Sequence, residues 1–163
     1  VKMASWFDII ETLRADATAH NVNVIAAYNA GFDFRVIAQT HESLGGTGKV
    51  FPFSCDVLDI WQFACETKLS QKAYRSIALA QGWVSPAGNI KTGAEFCYRY
   101  VGGDWAFIED HTALSDVRIE VEILADCFRQ KKPVPYNVVN GAPWRIVNQN
   151  AGEDADIHGS KVA

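Results

Sequence analysis

Apolar positions along this chain alternate between helical periods and short β-branched runs. Trp6, Ile10, Leu13 and Ala17 recur at helical spacing, which predicts an amphipathic helix over residues 3–19, closed by His20-Asn21. Val22 to Tyr28 is then a mostly apolar, β-branched run, as expected of a strand buried on both faces. Asn29-Ala30-Gly31 makes a tight turn into a short helix carrying Phe32, Val36 and Ile37, and Gly45-Gly46-Thr47-Gly48 is a loop. Phe53 to Leu58 predicts a second buried strand, leading into a helix through Ile60, Trp61 and Ala64.

A further helix is expected from Ser70 to Gln81, with Gly82 just past its end. Thr92-Gly93-Ala94-Glu95 has capping-box spacing and should open a helix reaching Tyr100. Leu114, Val117, Val121, Leu124 and Phe128 give the strongest helical period in the chain. After Lys131-Lys132-Pro133 the pattern dissolves, and from about residue 147 the polar, acidic composition predicts a mobile tail. Helices alternating with two buried strands indicate an α/β domain with some parallel pairing.

Composition adds limits. The chain has 163 residues, 48% of them hydrophobic and 21% charged, as expected of one soluble globular domain with a sizeable core. No apolar run has the length of a membrane span. Asp8, Glu11 and Asp16 near the start do not suit a signal peptide. Cys55, Cys65, Cys97 and Cys127 are scattered without a CxxC pair, which argues against a zinc or redox motif and for a cytoplasmic protein. A net charge of −4 excludes coating of nucleic acid by bulk positive field, but not catalysis on it.

Two constellations could carry chemistry. Asn29-Ala30-Gly31-Phe32-Asp33 lies where a strand meets a helix, the place where open α/β sheets bind ligands. Two readings of Asp33 stand: a carboxylate favoured by the helix dipole, or a metal ligand beyond the strand end. The second is His111-Thr112-Ala113-Leu114-Ser115-Asp116. Aspartate is a hard oxygen ligand suited to Mg²⁺ or Mn²⁺, and histidine ordinarily titrates near neutrality, as a general base should. On one continuous helix these two residues would stand about 140° apart. With His111 in the loop and Thr112 as N-cap, the chain can fold the imidazole back beside Asp116.

In this order and separation the two constellations resemble the second and third motifs of the DEDDh 3′–5′ exonucleases, Asn-x-x-Phe-Asp and His-x-Ala-Leu-x-Asp. The strand at Cys55-Asp56-Val57-Leu58-Asp59 and the helix from Tyr74 to Gly82 also fit, so that the likeness covers roughly residues 5–137. The resemblance implies a ribonuclease H-like α/β fold and phosphodiester hydrolysis at DNA or RNA 3′ ends. Two Mg²⁺ or Mn²⁺ ions about 3.5–4 Å apart would clamp the attacking and leaving oxygens. Carried over, Asp33 and Asp116 are metal ligands and His111 is the base that deprotonates water. Asn29 and Phe32 would shape the substrate site.

One family element is missing. The first motif, Asp-x-Glu on the opening strand, occurs nowhere in the chain. Asp8-Ile9-Ile10-Glu11 has the wrong spacing and falls on a helix, and Asp154-Ala155-Asp156 falls in the expected tail. Residues 1–137 therefore read as an exonuclease-like domain lacking the N-terminal strands of its mixed sheet, and 138–163 as a partly flexible extension. The expected partner is a polypeptide supplying the missing strand, or a second copy; the alternative is an inactive fold retained as a nucleic-acid or protein-binding module.

Glu109 and Asp110, beside His111, read either as further carboxylates for the metal ions or, the reading preferred, as a solvated turn. Lys68, Lys72, Arg75, Lys91 and Arg99 read either as a solvated face or as a phosphate-tracking groove. Trp6 and Trp61 fit apolar helical faces, and Trp144 could dock the extension; any tryptophan could also stack a base.

Overall fold

The computed structural model describes residues 4–51 and 55–149. They form a mixed α/β structure around a two-stranded parallel sheet, β1 (Val24–Ala27) and β2 (Asp56–Asp59), in register from Val24↔Asp56 to Ala27↔Asp59. Helix α1 (Trp6–Ala19) precedes β1, and α2 (Ala30–Ser43) connects the two strands. After β2 come α3 (Ile60–Ala64), a π-helical turn (Cys65–Leu69), α4 (Lys72–Ala80), α5 (Ala94–Gly102) and α6 (Ala113–Arg129).

Local chemistry sets these boundaries. Ser5 and Asp8 form a reciprocal capping box that starts α1, and Asn21 in a left-handed conformation helps turn the chain away from it. Gly82, at φ 67°, follows α4 where a left-handed residue stops a helix at least cost. The box expected at Thr92 and Glu95 does not form. The N-cap of α5 is Gly93, and the Thr92 hydroxyl instead accepts the Trp61 indole N–H at 2.9 Å. A partly buried indole donor needs such a partner, and that need outweighs the cap.

The core lies on the α3–α6 side of the sheet, where Leu58, Phe63, Leu69, Tyr74, Cys97, Ile123, Cys127 and Val147 are buried. Helix α1 contributes only Ile10 as a buried residue, and holds to the body through polar ties. The Trp6 indole donates to His41 Nδ1 at 3.0 Å, and the Arg14 guanidinium donates to the carbonyls of Lys49 and Val50.

Three expectations change. First, β1 is not buried on both faces: its side chains are half-buried, and Ala26 is exposed. It pairs with β2 alone, and among the described residues no strand covers its other edge. The outer edge of β2 is met by Asn137, whose N–H reaches the Val57 carbonyl at 2.7 Å while its Oδ1 accepts from Val57 N–H at 2.9 Å.

Second, α6 forms where its apolar period predicts, but the periodic residues are mostly not the buried ones. Leu114 (64%), Val117 (55%) and Val121 (59%) are exposed, while Ile119, Ile123 and Cys127 face the core.

Third, the tail does not begin at 147. Residues 144–149 are helical, Val147 is fully buried, and the Asn148 side chain accepts from Ile90 N–H at 2.8 Å. Asp154, Asp156 and the rest of 150–163 lie outside the described residues, as does Phe53.

The inverted face of α6 makes a direct prediction. Ile123→Ala should lower unfolding free energy by about 2–5 kcal/mol through the cavity it leaves, whereas Val121→Ala should change it by less than about 0.5 kcal/mol. Urea titrations of the two variants check this, and equal losses would mean that Val121 is covered.

Candidate metal centre

The carboxyl end of β1 turns through Asn29, in the left-handed region at φ 66°, which asparagine tolerates better than most residues. Its backbone N–H donates to Asp59 Oδ1 at 3.2 Å. The same oxygen accepts from Trp61 N–H at 3.0 Å and Gln62 N–H at 3.3 Å, capping α3. Asp59 thus fixes the ends of both strands and, with them, the start of α2. Asp33 stands in the first turn of α2, half-buried, and burial raises its pKa above the ordinary carboxylate value.

The second half of the site precedes and opens α6. His111 lies outside the helix in a left-handed conformation, φ 55°, and Thr112 is the N-cap residue. Thr112 makes no side-chain cap; its N–H and hydroxyl both turn to Asp110 Oδ1, at 3.0 and 3.1 Å. Asp110 therefore closes the turn, as expected of a solvated residue, and Glu109 does not share that role. Its side chain is only 14% exposed, and its Oε2 lies 3.7 Å from His111 Nδ1.

Glu109, His111 and Asp116 each offer a ligand atom, all within 4.8 Å of one another, a group that could hold a metal ion. Asp116 Oδ1 is buried there without a hydrogen-bond partner. An unpaired buried carboxylate oxygen is costly, and a cation is the partner that satisfies it.

Glu120 joins the two halves. It follows Asp116 by one helical turn and so shares its face of α6. Burial chiefly pushes its pKa from the ordinary 4.5 to about 7; the Tyr28 backbone N–H opposes this, and the charges of Asp33, Asp116 and Glu109 add to it. The Glu109 pKa is raised in the same way, by burial first and Asp116 next, with His111 opposing.

His111 and Asp116 thus stand in one group. Asp33 is outside that group and reaches it through the field at Glu120. Phe32 is exposed at the mouth of α2, with the Arg35 guanidinium 5.7 Å from its ring centre. Asn29 presents its backbone N–H to Asp59 and remains exposed. Sequence reasoning missed Glu120 as a site residue and ranked a site role for Glu109 below a solvated turn. The signals were present: Glu120 lies four residues beyond Asp116, the helical same-face spacing, and Glu109 is two residues from His111.

Comparison of this chain with protein-family models, curated proteins and solved structures finds no match.

The raised Glu120 carboxyl makes stability depend on pH. The folded chain keeps this proton up to about pH 7, whereas an unfolded glutamate releases it near 4.5. The stabilisation is complete below the lower value and is lost as pH rises through the upper one. Without divalent ions, the urea midpoint should fall between those limits, and Glu120→Gln should flatten that fall. Parallel curves for the two proteins would show that Glu120 is not buried among like charges.

Proposed function

We propose that this chain carries the larger part of a metal-dependent 3′–5′ exonuclease site on a ribonuclease H-like fold, acting on DNA or RNA 3′ ends. The observation that carries the reading is the convergence of Glu109, His111 and Asp116, with Glu120 coupling that group to Asp33. A hard, oxygen-rich donor set suits Mg²⁺ or Mn²⁺ rather than a soft thiolate-seeking metal. Asp116 and Asp33 would hold the ions, with Glu109 and Glu120 supplying carboxylates that partly replace the absent Asp-x-Glu. Bound there, such ions would supply Lewis-acid polarisation of a phosphoryl oxygen and a more acidic water.

The chain's own residues then divide the remaining work. His111 Nδ1 faces Glu109, so Nε2 is the nitrogen left to take a proton from the attacking water. Glu109 orients the ring and stabilises the imidazolium that results. Exposed Phe32 and Asn29 line the entry to the strand ends, where a terminal nucleotide would rest.

The edge of β1 that no strand covers among the described residues, and the exposed stripe on α6, support completion by a further strand, from another polypeptide or a second copy. The same surface supports the second reading, a non-catalytic module that binds a partner through it. No helix among the described residues is long and apolar enough to cross a membrane, and four unpaired thiols fit a reducing cytoplasm.

The test is Mn²⁺-dependent release of the terminal nucleotide from a 3′-labelled oligonucleotide. Asp116→Ala should abolish release, and His111→Ala should slow it roughly 100- to 10,000-fold, the usual worth of a general base. No release, even with a polypeptide supplying the absent strand, would sink the enzyme and leave the binding module.

A further inference from the structure

The loop that delivers Glu109 and His111 begins beside an aromatic cluster that the metal group does not use. Trp83, buried against the core, supports Phe96 at 5.8 Å and Trp105 at 5.6 Å between ring centres. Trp105 is nevertheless 42% exposed, so the cluster supports an indole at the surface. Two cations border these rings. Arg99 lies 5.1 Å from the Phe96 centre but is neutralised by an ion pair with Glu95. Lys91 Nζ lies 4.7 Å from the Phe96 centre, is exposed, and has no carboxylate partner among the described residues.

An exposed indole at one end of a rigid aromatic cluster, with an uncompensated ammonium over the Phe96 ring of the same cluster, is a pairing suited to single strands: a face for a base and a charge for a phosphate. Position adds direction. Arg99 Nε donates to the Phe107 carbonyl at 2.7 Å, which pins the loop midway between the platform and the metal group. Glu109 lies four positions beyond Trp105, a reach of at most about 14 Å, or roughly four stacked nucleotides at ~3.4 Å each.

We infer that Trp105 and Lys91 form a stacking platform for a base of single-stranded nucleic acid a few nucleotides from the end held at the metal group. This deepens the exonuclease reading and rests on it for the direction of the strand. The platform explains how an acidic chain could hold a polyanion: stacking needs no net positive field, and one free lysine serves one phosphate.

The experiment is fluorescence anisotropy with a labelled oligothymidylate of about twelve nucleotides, at low salt with Ca²⁺ in place of Mn²⁺. Trp105→Ala should weaken binding roughly 5- to 150-fold, the worth of one stacked base, and Trp105→Phe should restore most of it. Lys91→Gln should weaken binding and lower its salt dependence by about one phosphate's share. The strand should also quench tryptophan emission less in Trp105→Phe than in the unaltered chain. Urea midpoints unchanged by these surface substitutions keep any loss from being one of folding.

Binding by Trp105→Ala equal to that of the unaltered chain overturns the platform, whatever the nuclease assay gives. Absence of strand binding by the unaltered chain overturns it as well. Weakened binding by the variant, with no Mn²⁺-dependent release by the unaltered chain, upholds the platform and removes the exonuclease reading alone.

Discussion

The arrangement depends on one buried carboxylate. Asp59 is fully enclosed, yet its Oδ1 accepts backbone N–H groups from Asn29, Trp61 and Gln62. These bonds close the end of β2 onto the end of β1 and start α3 at the same point. Burial raises the carboxyl's pKa, and the surrounding N–H groups oppose that rise. Without this clamp the left-handed turn at Asn29 would have no partner for its N–H, and α2 would have no fixed origin. Asp33 would then have no fixed place opposite α6. Thr92 extends the tie: its hydroxyl accepts from Trp61 and its carbonyl from the Tyr28 hydroxyl at 2.6 Å, binding α3, β1 and the approach to α5 together.

Much of this was legible in the sequence where a single force dominates. The turn at Asn29-Ala30-Gly31, the strand–helix alternation and the existence of α6 follow from local conformation and apolar period. The buried face of α6 was not legible, because two stripes compete on one helix. Leu114, Val117 and Val121 make the longer apolar repeat, while Ile119, Ile123 and Cys127, spaced by four, make the stripe that packs on α3 and α5. Periodicity measures amphipathicity and is blind to which neighbour arrives. The cap at Thr92 failed for a related reason: its hydroxyl had a buried donor to satisfy, and no pattern within four residues reveals a tryptophan 31 positions away.

The site shows the same limit. His111 and Asp116 were recognisable as a pair because their geometry is local, one loop residue folded against the first helical turn. Glu120 was not, since its importance lies in a neighbour, Asp33, that only the tertiary fold brings into electrostatic range. Glu109 looked like half of a solvated turn, and its sibling Asp110 is that. The two differ by which side of the loop they occupy, and alternation along an irregular segment has no period to reveal it.

Consecutive residues of α6 bring these strands together. Successive helical positions differ by about 100°, so Ile119, Glu120 and Val121 face three different directions. Ile119 enters the core, Glu120 enters the acidic site, and Val121 stands open to the outside. A helix with one buried face needs only the first. Burial on the second face makes Glu120 hold a proton, with the charges of Asp33, Asp116 and Glu109 adding to the effect, a cost that a bound cation would relieve. The third face exposes the apolar side chains of Leu114, Val117 and Val121. The unsatisfied Asp116 oxygen and the exposed apolar stripe are therefore set by one helix, on faces about 100° apart.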